Sequence, residues 1–516
     1  MAQWQATVPP DPAGPYGLLG YHPHDKHYTA AAPGSANGPD GAHGTFVMEV
    51  AAGGRRTVPA DTDPAAQPCG VAPDADIVFV QVRVHVQPDG RRELDLDDVL
   101  QGVAFIFAVA ESNNLPCVVN LSLNTMSGPH DGDGHFDRTL ATHLRAGSAG
   151  PEARGRAVVI AAGNLPDSSV QALRWQHLSD QVAAGAPVTF DWRMAPQDLT
   201  RNVVEIWYDA TDAWLQVTLI DPDQQSFGPV QPGENWPLTE NGQWVGSVMG
   251  SQLGTALDAN ATLIQPAPGP LAQPSPEEQD EQAPAQGMRP APANPAAVPG
   301  RHVIRLELGD VANRPVKWTV LLELVPPANP LAPVGQPVRF HAWLERDDEG
   351  PSGLAREGQP PLPVNARDRP CTIGTLSCGP DAIVVGGYST ASGHLRPWKL
   401  SACGPSRRGD VFKPDLAAPA HFVTLIRSCR GNGLAGSLAR VTGTSVAAPF
   451  VTGTIACVYE KAPNATLADV RKALLETAQP LAGQPAATPV NGQPAGWNPV
   501  LGHGRLNPAG VLARFP

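Results

Sequence analysis

The hydrophobic pattern in the first third of the chain alternates between two periods. Short, almost wholly apolar runs such as "ADIVFVQVRV", "PCVVNLSL" and "RAVVIAAGN" predict strands that are buried on both faces. Around and between them, "AHGTFVMEVAAGG" and "LDDVLQGVAFIFAVAESN" have the spacing of helices. Buried strands that alternate with helices predict a mostly parallel sheet with helices on both faces, which is a three-layer α/β/α sandwich.

The pattern changes between about Gln171 and Arg346. Here "NVVEIWYD", "WLQVTLID", "HVIRLEL", "WTVLLELV" and "RFHAWLER" predict strands, and Pro, Gly and Asp turns separate them. In "HVIRLEL" one face carries His302, Ile304, Leu306 and Leu308. Such short, regularly spaced strands predict an antiparallel β-sandwich or jelly roll. Residues 266–300 are rich in proline and contain "EEQDEQ", so a disordered loop within the sandwich is expected there.

The α/β pattern returns after Cys371. The run "DAIVVGGY" predicts a buried strand, and "GTSVAAPFVTGTIACVYE" predicts a helix. The segment "TLADVRKALLETA" predicts an amphipathic helix with Thr466 as its N-cap. The sequence therefore predicts an α/β domain interrupted by a β-domain. Its first part is residues 1–167, the inserted domain is 168–366, and the second part is 367–516.

Charge and composition exclude several partners. The formal net charge is −13 at pH 7, which argues against a nucleic-acid partner because the phosphate backbone is also negative. No apolar run is long enough to span a membrane, so no membrane partner is expected. The N-terminal stretch "MAQWQATVPPDPAGPYG" lacks the basic and apolar regions of a secretory signal. A cytoplasmic location is therefore expected, or a secreted one if the N-terminus is truncated. The oligomeric state is open.

The cysteines and one polar loop are candidates for metal or disulfide sites. Seven cysteines in a chain of this length are too few and odd in number for a disulfide framework, so reduced thiols are expected. Cys371 and Cys378 have no second pair at the spacing of zinc ligands, so no metal site is expected there. The loop "PHDGDGHFD" is expected to be solvated, with a cation site as the alternative. Its candidate ligands would be His130, Asp131, Asp133 and His135.

One stretch, "VTGTSVAAPFVTG", combines a Thr, a Ser and the start of a helix. Thr444 and Ser445 could be helix caps, with the proline tolerated in the first turn. Alternatively, Ser445 could be a nucleophile, which requires a base to remove its proton. His43 in "DGAHGTFV" is a candidate base, and Asn164 in "VVIAAGN" could donate to an oxyanion. A helix N-terminus adds free N–H groups. Together these groups indicate acyl transfer through a tetrahedral intermediate.

These motifs resemble those of the subtilisin-like serine peptidases, the subtilases. The resemblance covers roughly residues 20–165 and 370–516. Its motifs are "HGTFV", "GVAPDADIVFVQV", "NLSL", "AAGN", "GPSRRGDVFKPDLAAPA", "GTSVAAPFVTG" and "LGHGRLNPAGVL", in the family's order. Ala420 stands where the family usually has glycine. A β-domain inserted between the asparagine and the serine is similar to that of Csp-type subtilases, which carry a jelly roll there.

The resemblance implies an activity and a set of site residues. Ser445 would be the nucleophile, His43 the general base and Asn164 the oxyanion donor of a serine endopeptidase that acts on proteins or peptides. The substrate would lie along a backbone edge and a side-chain pocket formed by Leu121, Ser122, Leu123, Ala162 and Gly163. No redox or organic cofactor is implied. Structural calcium is compatible with the family, but no ligand set is assigned.

The family's triad also needs an aspartate that orients the histidine. Asp11 precedes His43 by an interval close to the usual one, but the prolines of "QATVPP" before it are unfavourable in a central strand. Asp25 lies too near His43. Three accounts follow. Asp11 serves from a distorted edge strand, the aspartate belongs to a missing N-terminal segment, or the chain is a degenerate subtilase that acts as a binding or regulatory scaffold.

Overall fold

The computed structural model describes two parts of different architecture. The described residues are 43–54, 69–82, 84–86, 92–146, 154–165, 177–194, 202–210, 213–240, 243–253, 300–309, 316–325, 335–345, 353–355, 371–390, 395–426, 438–481 and 492–516. An α/β part is built from both ends of the chain, and an antiparallel β part from its middle.

Helices and strands alternate in the order that the hydrophobic pattern predicts. The helices are α1 (His43–Ala52), α2 (Leu96–Ser112), α3 (His135–Arg145), α4 (Thr444–Lys461), α5 (Leu467–Thr477) and α6 (Pro508–Leu512). The strands of the α/β part are β1 (Val84–Val86), β2 (Arg92–Leu94), β3 (Cys117–Leu121) and β4 (Arg156–Ala161). The strands of the antiparallel part are β5 (His177–Val182), β6 (Val188–Met194), β7 (Asn202–Ala210), β8 (Leu215–Ile220), β9 (Ser226–Val230), β10 (Asn235–Glu240), β11 (Gln243–Leu253), β12 (Gly300–Leu308), β13 (Val316–Leu324), β14 (Val338–Leu344) and β15 (Gly353–Ala355). The strands after it are β16 (Ile383–Ser389), β17 (Arg396–Pro397), β18 (Leu416–His421), β19 (Val423–Ile426) and β20 (Leu438–Val441).

The α/β part contains the predicted parallel sheet. Strands β3, β4, β16 and β18 lie side by side in that order and are all parallel, with β17 antiparallel at the end of β16. Strands β4 and β16 are buried along nearly their whole length, so both faces of the sheet are covered. Helix α4 packs on all four parallel strands, while α2 and α3 pack on β3 and β4. The prediction of a three-layer α/β architecture is confirmed.

Two helices begin at side chains that cap their first turn. Thr466 caps α5: its hydroxyl accepts a 3.0 Å hydrogen bond from the Asp469 N–H, and the Asp469 carboxylate accepts one from the Thr466 N–H. This confirms the predicted cap. Asp95 caps α2 in the same way, through a 2.8 Å bond from the Asp97 N–H.

The predicted strand "ADIVFVQVRV" differs from the structure. Residues 77–82 belong to no strand, and only Val84–Val86 pairs, with Arg92–Leu94. Ile77 and Phe79 are 55% and 56% exposed, whereas Val82 packs against the α/β core. An apolar run shows that a segment favours burial, but it cannot show whether a partner covers each of its faces.

The antiparallel part is a sandwich of two sheets. One has the order β10, β11, β12, β7, β14, β5, and the other has the order β15, β6, β13, β8, β9. One cluster of buried side chains from both sheets, including Phe190, Trp192, Tyr208 and Phe340, fills the space between them. The predicted disordered loop at 266–300 lies outside the described residues, except that Gly300 begins β12.

Strand β12 shows how the two parts meet. As predicted, Ile304, Leu306 and Leu308 lie in the sandwich core. The alternate face is buried as well, because Val303 packs with Trp207 and Trp343 against Met126 and Cys371 of the α/β part. The face of this sheet that carries Val303 therefore forms an interface with the α/β part. This explains why charged residues of the sheet, such as Glu205 and Glu307, are buried.

Candidate active site

Ser445 lies in the first turn of α4. The N-cap of this helix is Gly443, and no side chain caps it. The interpretation of Thr444 and Ser445 as helix caps is therefore wrong, and their hydroxyl groups are available for other contacts. The helix also begins earlier than the proline suggested, because Pro449 lies inside it beyond the first turn.

Pro449 accounts for the contact between the nucleophile helix and the neighbouring strand. Proline has no N–H, so the carbonyl of Ser445, four residues earlier, lacks its helical hydrogen bond. The Ser122 hydroxyl donates to that carbonyl over 2.7 Å. Ser122 Oγ itself accepts from Asn120 Nδ2 at 2.8 Å. The end of β3 is thereby tied to the turn that carries Ser445.

Asn164 follows β4 and is held in one orientation. Its side-chain oxygen accepts hydrogen bonds from the backbone N–H and the hydroxyl of Thr444, both at 2.9 Å. Thr444 Oγ1 in turn accepts from the Gly163 N–H at 3.1 Å. Because the oxygen faces Thr444, the Nδ2 group must face away from it, and among the described residues Nδ2 has no hydrogen-bond acceptor.

Gly443 marks the point where these groups converge. Its φ is +153°, a conformation that glycine adopts most readily. A Cβ added there would lie 2.8 Å from Ser445 Oγ, 3.3 Å from Asn164 Nδ2 and 3.7 Å from Ser445 N. A hydroxyl oxygen, a carboxamide donor and a backbone donor therefore surround one small space. The glycine keeps this space open for a reacting group.

His43 begins α1, and α1 packs along α4. Val50 and Phe46 share an apolar cluster with Val446, and an added Cβ on Gly453 would lie 2.7 Å from the Ala51 carbonyl oxygen. These contacts place α1, which begins at His43, alongside α4, whose first turn carries Ser445.

The imidazole of His43 is suited to accept a proton. The residue is exposed by its surface area, yet surrounding protein desolvates the ring and lowers its pKa from the usual 6.5. The neutral form therefore dominates at neutral pH. Within the described residues no carboxylate hydrogen-bonds to this ring. The predicted triad residue Asp11 lies outside the described residues.

The predicted substrate-binding residues lie on both sides of the converging groups. Leu121 ends β3, whose outer edge pairs with no described strand, and Ser122 and Leu123 follow it. Ala162 and Gly163 lead from β4 into Asn164. Their carbonyl groups accept from the N–H groups of Gly374 and Ala402, at 3.1 and 3.0 Å. A strand edge that has no partner among the described strands and the pocket segment thus flank Ser445.

The sequence did not single out Asn124. Its side-chain amide donates to the Ala161 carbonyl at 2.9 Å and to Ser377 Oγ at 2.7 Å. Its oxygen accepts from the N–H groups of Thr125 and Leu376. The residue therefore joins the segment that follows β3 to the end of β4. The only signal in the sequence was its position directly after "NLSL", which is too little for a prediction.

The loop "PHDGDGHFD" is not the solvated loop that its composition predicts. Asp133 is exposed, but His130 and Asp131 are buried between the two parts of the molecule. The Asp131 carboxylate pairs with Arg301 at 3.0 Å and with Arg407 at 3.1 Å. With Arg408 at 3.4 Å, three guanidinium groups therefore occupy the place that a cation would take. No group of three His, Cys, Asp or Glu side chains in the described segments is arranged to hold a metal ion.

No disulfide joins any two of the six cysteines in the described segments. Burial raises the pKa of the Cys371 thiol to about 12 and that of Cys378 well above its usual range. These thiols are therefore protonated and are poor candidates for a nucleophile.

Among the described helices, none combines the length and the apolar composition that crossing a membrane requires.

Comparisons with known proteins bear on the family and the fold of this chain. The model of the subtilase family, Peptidase S8, matches residues 19–189 and 362–504. The structure of the CspB protease of Clostridium perfringens is similar over 92% of this chain and 80% of that one, with a TM-score of 0.60 and 20% identity. A weaker likeness, with a TM-score of 0.36 and 16% identity, is to the MycP3 protease from the type VII (ESX-3) secretion system, over 91% of this chain and 72% of that one. No curated protein sequence matches significantly.

Proposed function

We propose, since this chain belongs to the subtilase family of serine peptidases, that it is an endopeptidase whose acyl-enzyme forms on Ser445. The observation that carries the proposal is the space beside Gly443, which Ser445 Oγ, Asn164 Nδ2 and the Ser445 N–H surround. Nucleophile and oxyanion donors need this arrangement around a single carbonyl group. Protein or peptide chains are the proposed substrates.

Each site residue has a separate role in the proposed reaction. His43 accepts the proton of Ser445 Oγ as the oxygen attacks the scissile carbonyl carbon. The oxyanion receives hydrogen bonds from Asn164 Nδ2 and the Ser445 N–H, and the N-terminus of α4 adds a favourable field. His43 then gives the proton to the leaving amine. Water releases the acyl group by the same route in reverse.

The rest of the substrate is bound by backbone. Residues before the scissile bond extend along Leu121, Ser122 and Leu123 as an added strand. The side chain next to the scissile bond enters the pocket lined by Ala162 and Gly163. This mode of binding suits an unfolded or flexible stretch of a protein, because the whole segment must be extended.

A second candidate is a subtilase fold that serves as a binding or regulatory scaffold. It is favoured by one observation: no carboxylate among the described residues hydrogen-bonds to His43. Losing the aspartate of a triad lowers turnover about 10⁴-fold but leaves residual catalysis. The two candidates therefore differ in the reactivity of Ser445.

An active-site fluorophosphonate probe separates them. We expect labelling of the full chain, loss of labelling in Ser445→Ala, and unchanged labelling in Ser112→Ala, which removes an exposed hydroxyl at the end of α2. Cleavage of a denatured protein should be lost in the same variant. A folded chain that neither reacts with the probe nor cleaves protein would support the scaffold instead.

A further inference from the structure

The antiparallel part directs a carboxylate at the segment that follows the substrate edge. Glu345, at the end of β14, accepts a hydrogen bond from Thr125 Oγ1 at 2.8 Å and from the Met126 N–H at 3.1 Å. The same oxygen accepts from the Ser127 N–H at 2.5 Å. Met126 and Ser127 are buried. One side chain of the sandwich therefore satisfies three donors in consecutive residues of the other part of the molecule.

A second carboxylate of the antiparallel part binds the next residue of this segment. Glu205 of β7 accepts from the Gly128 N–H at 2.7 Å, and Arg305 holds its other oxygen at 2.8 Å. Glu205 and Glu345 thus bind consecutive N–H groups along one stretch of backbone. Four residues in a row are held by the sandwich rather than by neighbours in the parallel sheet.

This stretch is connected to the catalytic groups by short steps. Thr125 follows Asn124, whose side chain binds the Ala161 carbonyl at the end of β4. The Thr125 carbonyl accepts from the Thr375 N–H at 2.8 Å, and the Gly374 N–H donates to the Ala162 carbonyl at 3.1 Å. Residues 121–123 immediately precede this anchored stretch. Movement of residues 125–127 would consequently shift the substrate edge relative to Asn164.

We propose that Glu345 is a positioning residue for the substrate edge: by binding residues 125–127, it sets the register of Leu121, Ser122 and Leu123 against Ser445. The inference rests on the proposed endopeptidase function. Its consequence is that the antiparallel part is a component of the substrate site, although none of its described residues is among the groups that surround the space beside Gly443. Substrates that use the edge depend on Glu345, and substrates that use only the pocket do not.

The test compares two substrates in Glu345→Gln. For an extended peptide with four residues before the scissile bond we expect kcat/KM to fall about tenfold or more, mainly through KM, because a displaced edge misaligns the bound strand. For an ester of a single amino acid, kcat/KM should change less than about twofold. The matched control is Glu323→Gln, which removes a carboxylate of the sandwich that pairs with Gln216 away from this interface. It should leave both substrates unchanged.

Equal losses on the two substrates, or no loss on the extended peptide, would overturn the proposal. Binding tests it without catalysis: in a Ser445→Ala background, Glu345→Gln should weaken the affinity for a labelled extended peptide about tenfold. If the wild type hydrolyses nothing but this affinity difference is found, the endopeptidase function fails while the positioning role stands. If the wild type hydrolyses no peptide and the Ser445→Ala chain binds none, both are overturned. Thermal unfolding of each variant separates these outcomes from loss of fold.

Discussion

The hydroxyl of Ser122 donates a 2.7 Å hydrogen bond to the backbone carbonyl of Ser445, across the boundary between β3 and α4. Pro449 leaves this carbonyl without its helical donor. One hydrogen bond therefore satisfies a helix defect and, at the same time, fixes the distance between the edge that would bind the substrate and the residue that would attack it.

Ser122→Ala should lower the free energy of unfolding, because it leaves the Ser445 carbonyl without a hydrogen bond. An unsatisfied buried acceptor costs about 1–3 kcal/mol, so the variant should be less stable by roughly that amount. We also expect kcat/KM for a peptide to fall about tenfold, because the first turn of α4 is no longer tied to β3. Urea unfolding and peptide kinetics measure the two effects. A variant with full stability and full activity would show that the bond is incidental.

Asn164→Ala should act on the transition state. The oxygen of Asn164 is occupied by Thr444, so its Nδ2 is the group left for an oxyanion. Removal of one such donor typically lowers kcat 10²- to 10³-fold, and we expect a loss of about that size with little change in KM. Asn113→Ala, at the exposed end of α2, is the control. A change confined to KM would instead assign Asn164 to ground-state binding.

The pH dependence of activity should follow the protonation of His43. Desolvation lowers the pKa of its ring below 6.5, and the base works only in its neutral form. Activity should therefore be constant near neutral pH and fall on the acid side with a midpoint below 6.5. The profile of kcat/KM against pH for a peptide measures this midpoint. A midpoint above 6.5 would require a carboxylate beside the ring, and would thus point to an intact triad.

Much of the α/β part could be predicted, because its signals are local. The start of α1 at His43, the cap at Thr466 and the buried strands β4 and β16 follow from residues within one segment. Asn164 and Ser445 could be recognised as candidates, because each lies in a short motif within one segment. The orientation of the Asn164 side chain could not be predicted, because it depends on contacts with Thr444 and on the conformation of Gly443.

The interface between the two parts could not be predicted. Asp131 lies in a stretch of Gly, Asp and His that is typical of a solvated loop, and its partners Arg301 and Arg407 lie far away in the sequence. Charged side chains favour burial only when a partner is present, and periodicity carries no information on distant partners. The role of Glu345 could not be predicted either, because its hydrogen-bond donors are backbone N–H groups that lie far away in the sequence.

Asp131→Asn should strongly destabilise the molecule. The fully buried carboxylate pairs with Arg301, Arg407 and Arg408, so its loss removes a negative charge from a cluster of guanidinium groups in which Asp209 still pairs with Arg407 and Arg408. Breaking a buried pair in this way costs about 3–5 kcal/mol. The neighbouring Asp133 is exposed and has Arg138 at 3.6 Å, so Asp133→Asn should cost at most about 1 kcal/mol. Urea unfolding of the two variants provides the comparison, and equal losses would contradict it.

His130 should make this interface sensitive to acid. Its ring nitrogens lie 2.9 and 2.8 Å from the carbonyl oxygens of Ile373 and Met126, and the ring stacks on Trp343. Desolvation outweighs the two carbonyl contacts and lowers the pKa of the ring to about 4. The unfolded chain, with a pKa near 6.5, therefore binds the proton first as pH falls. The stabilisation is complete above pH 6.5 and is lost as pH falls through 4, by about 3 kcal/mol in total. In His130→Gln this part of the pH dependence should vanish, so the stability difference between wild type and variant should shrink from pH 7.5 to pH 4.5. A difference that stays constant would mean that the pKa of His130 does not change on folding, and a difference that grows as pH falls would mean that His130 is protonated in the folded interface, with both ring N–H groups donating.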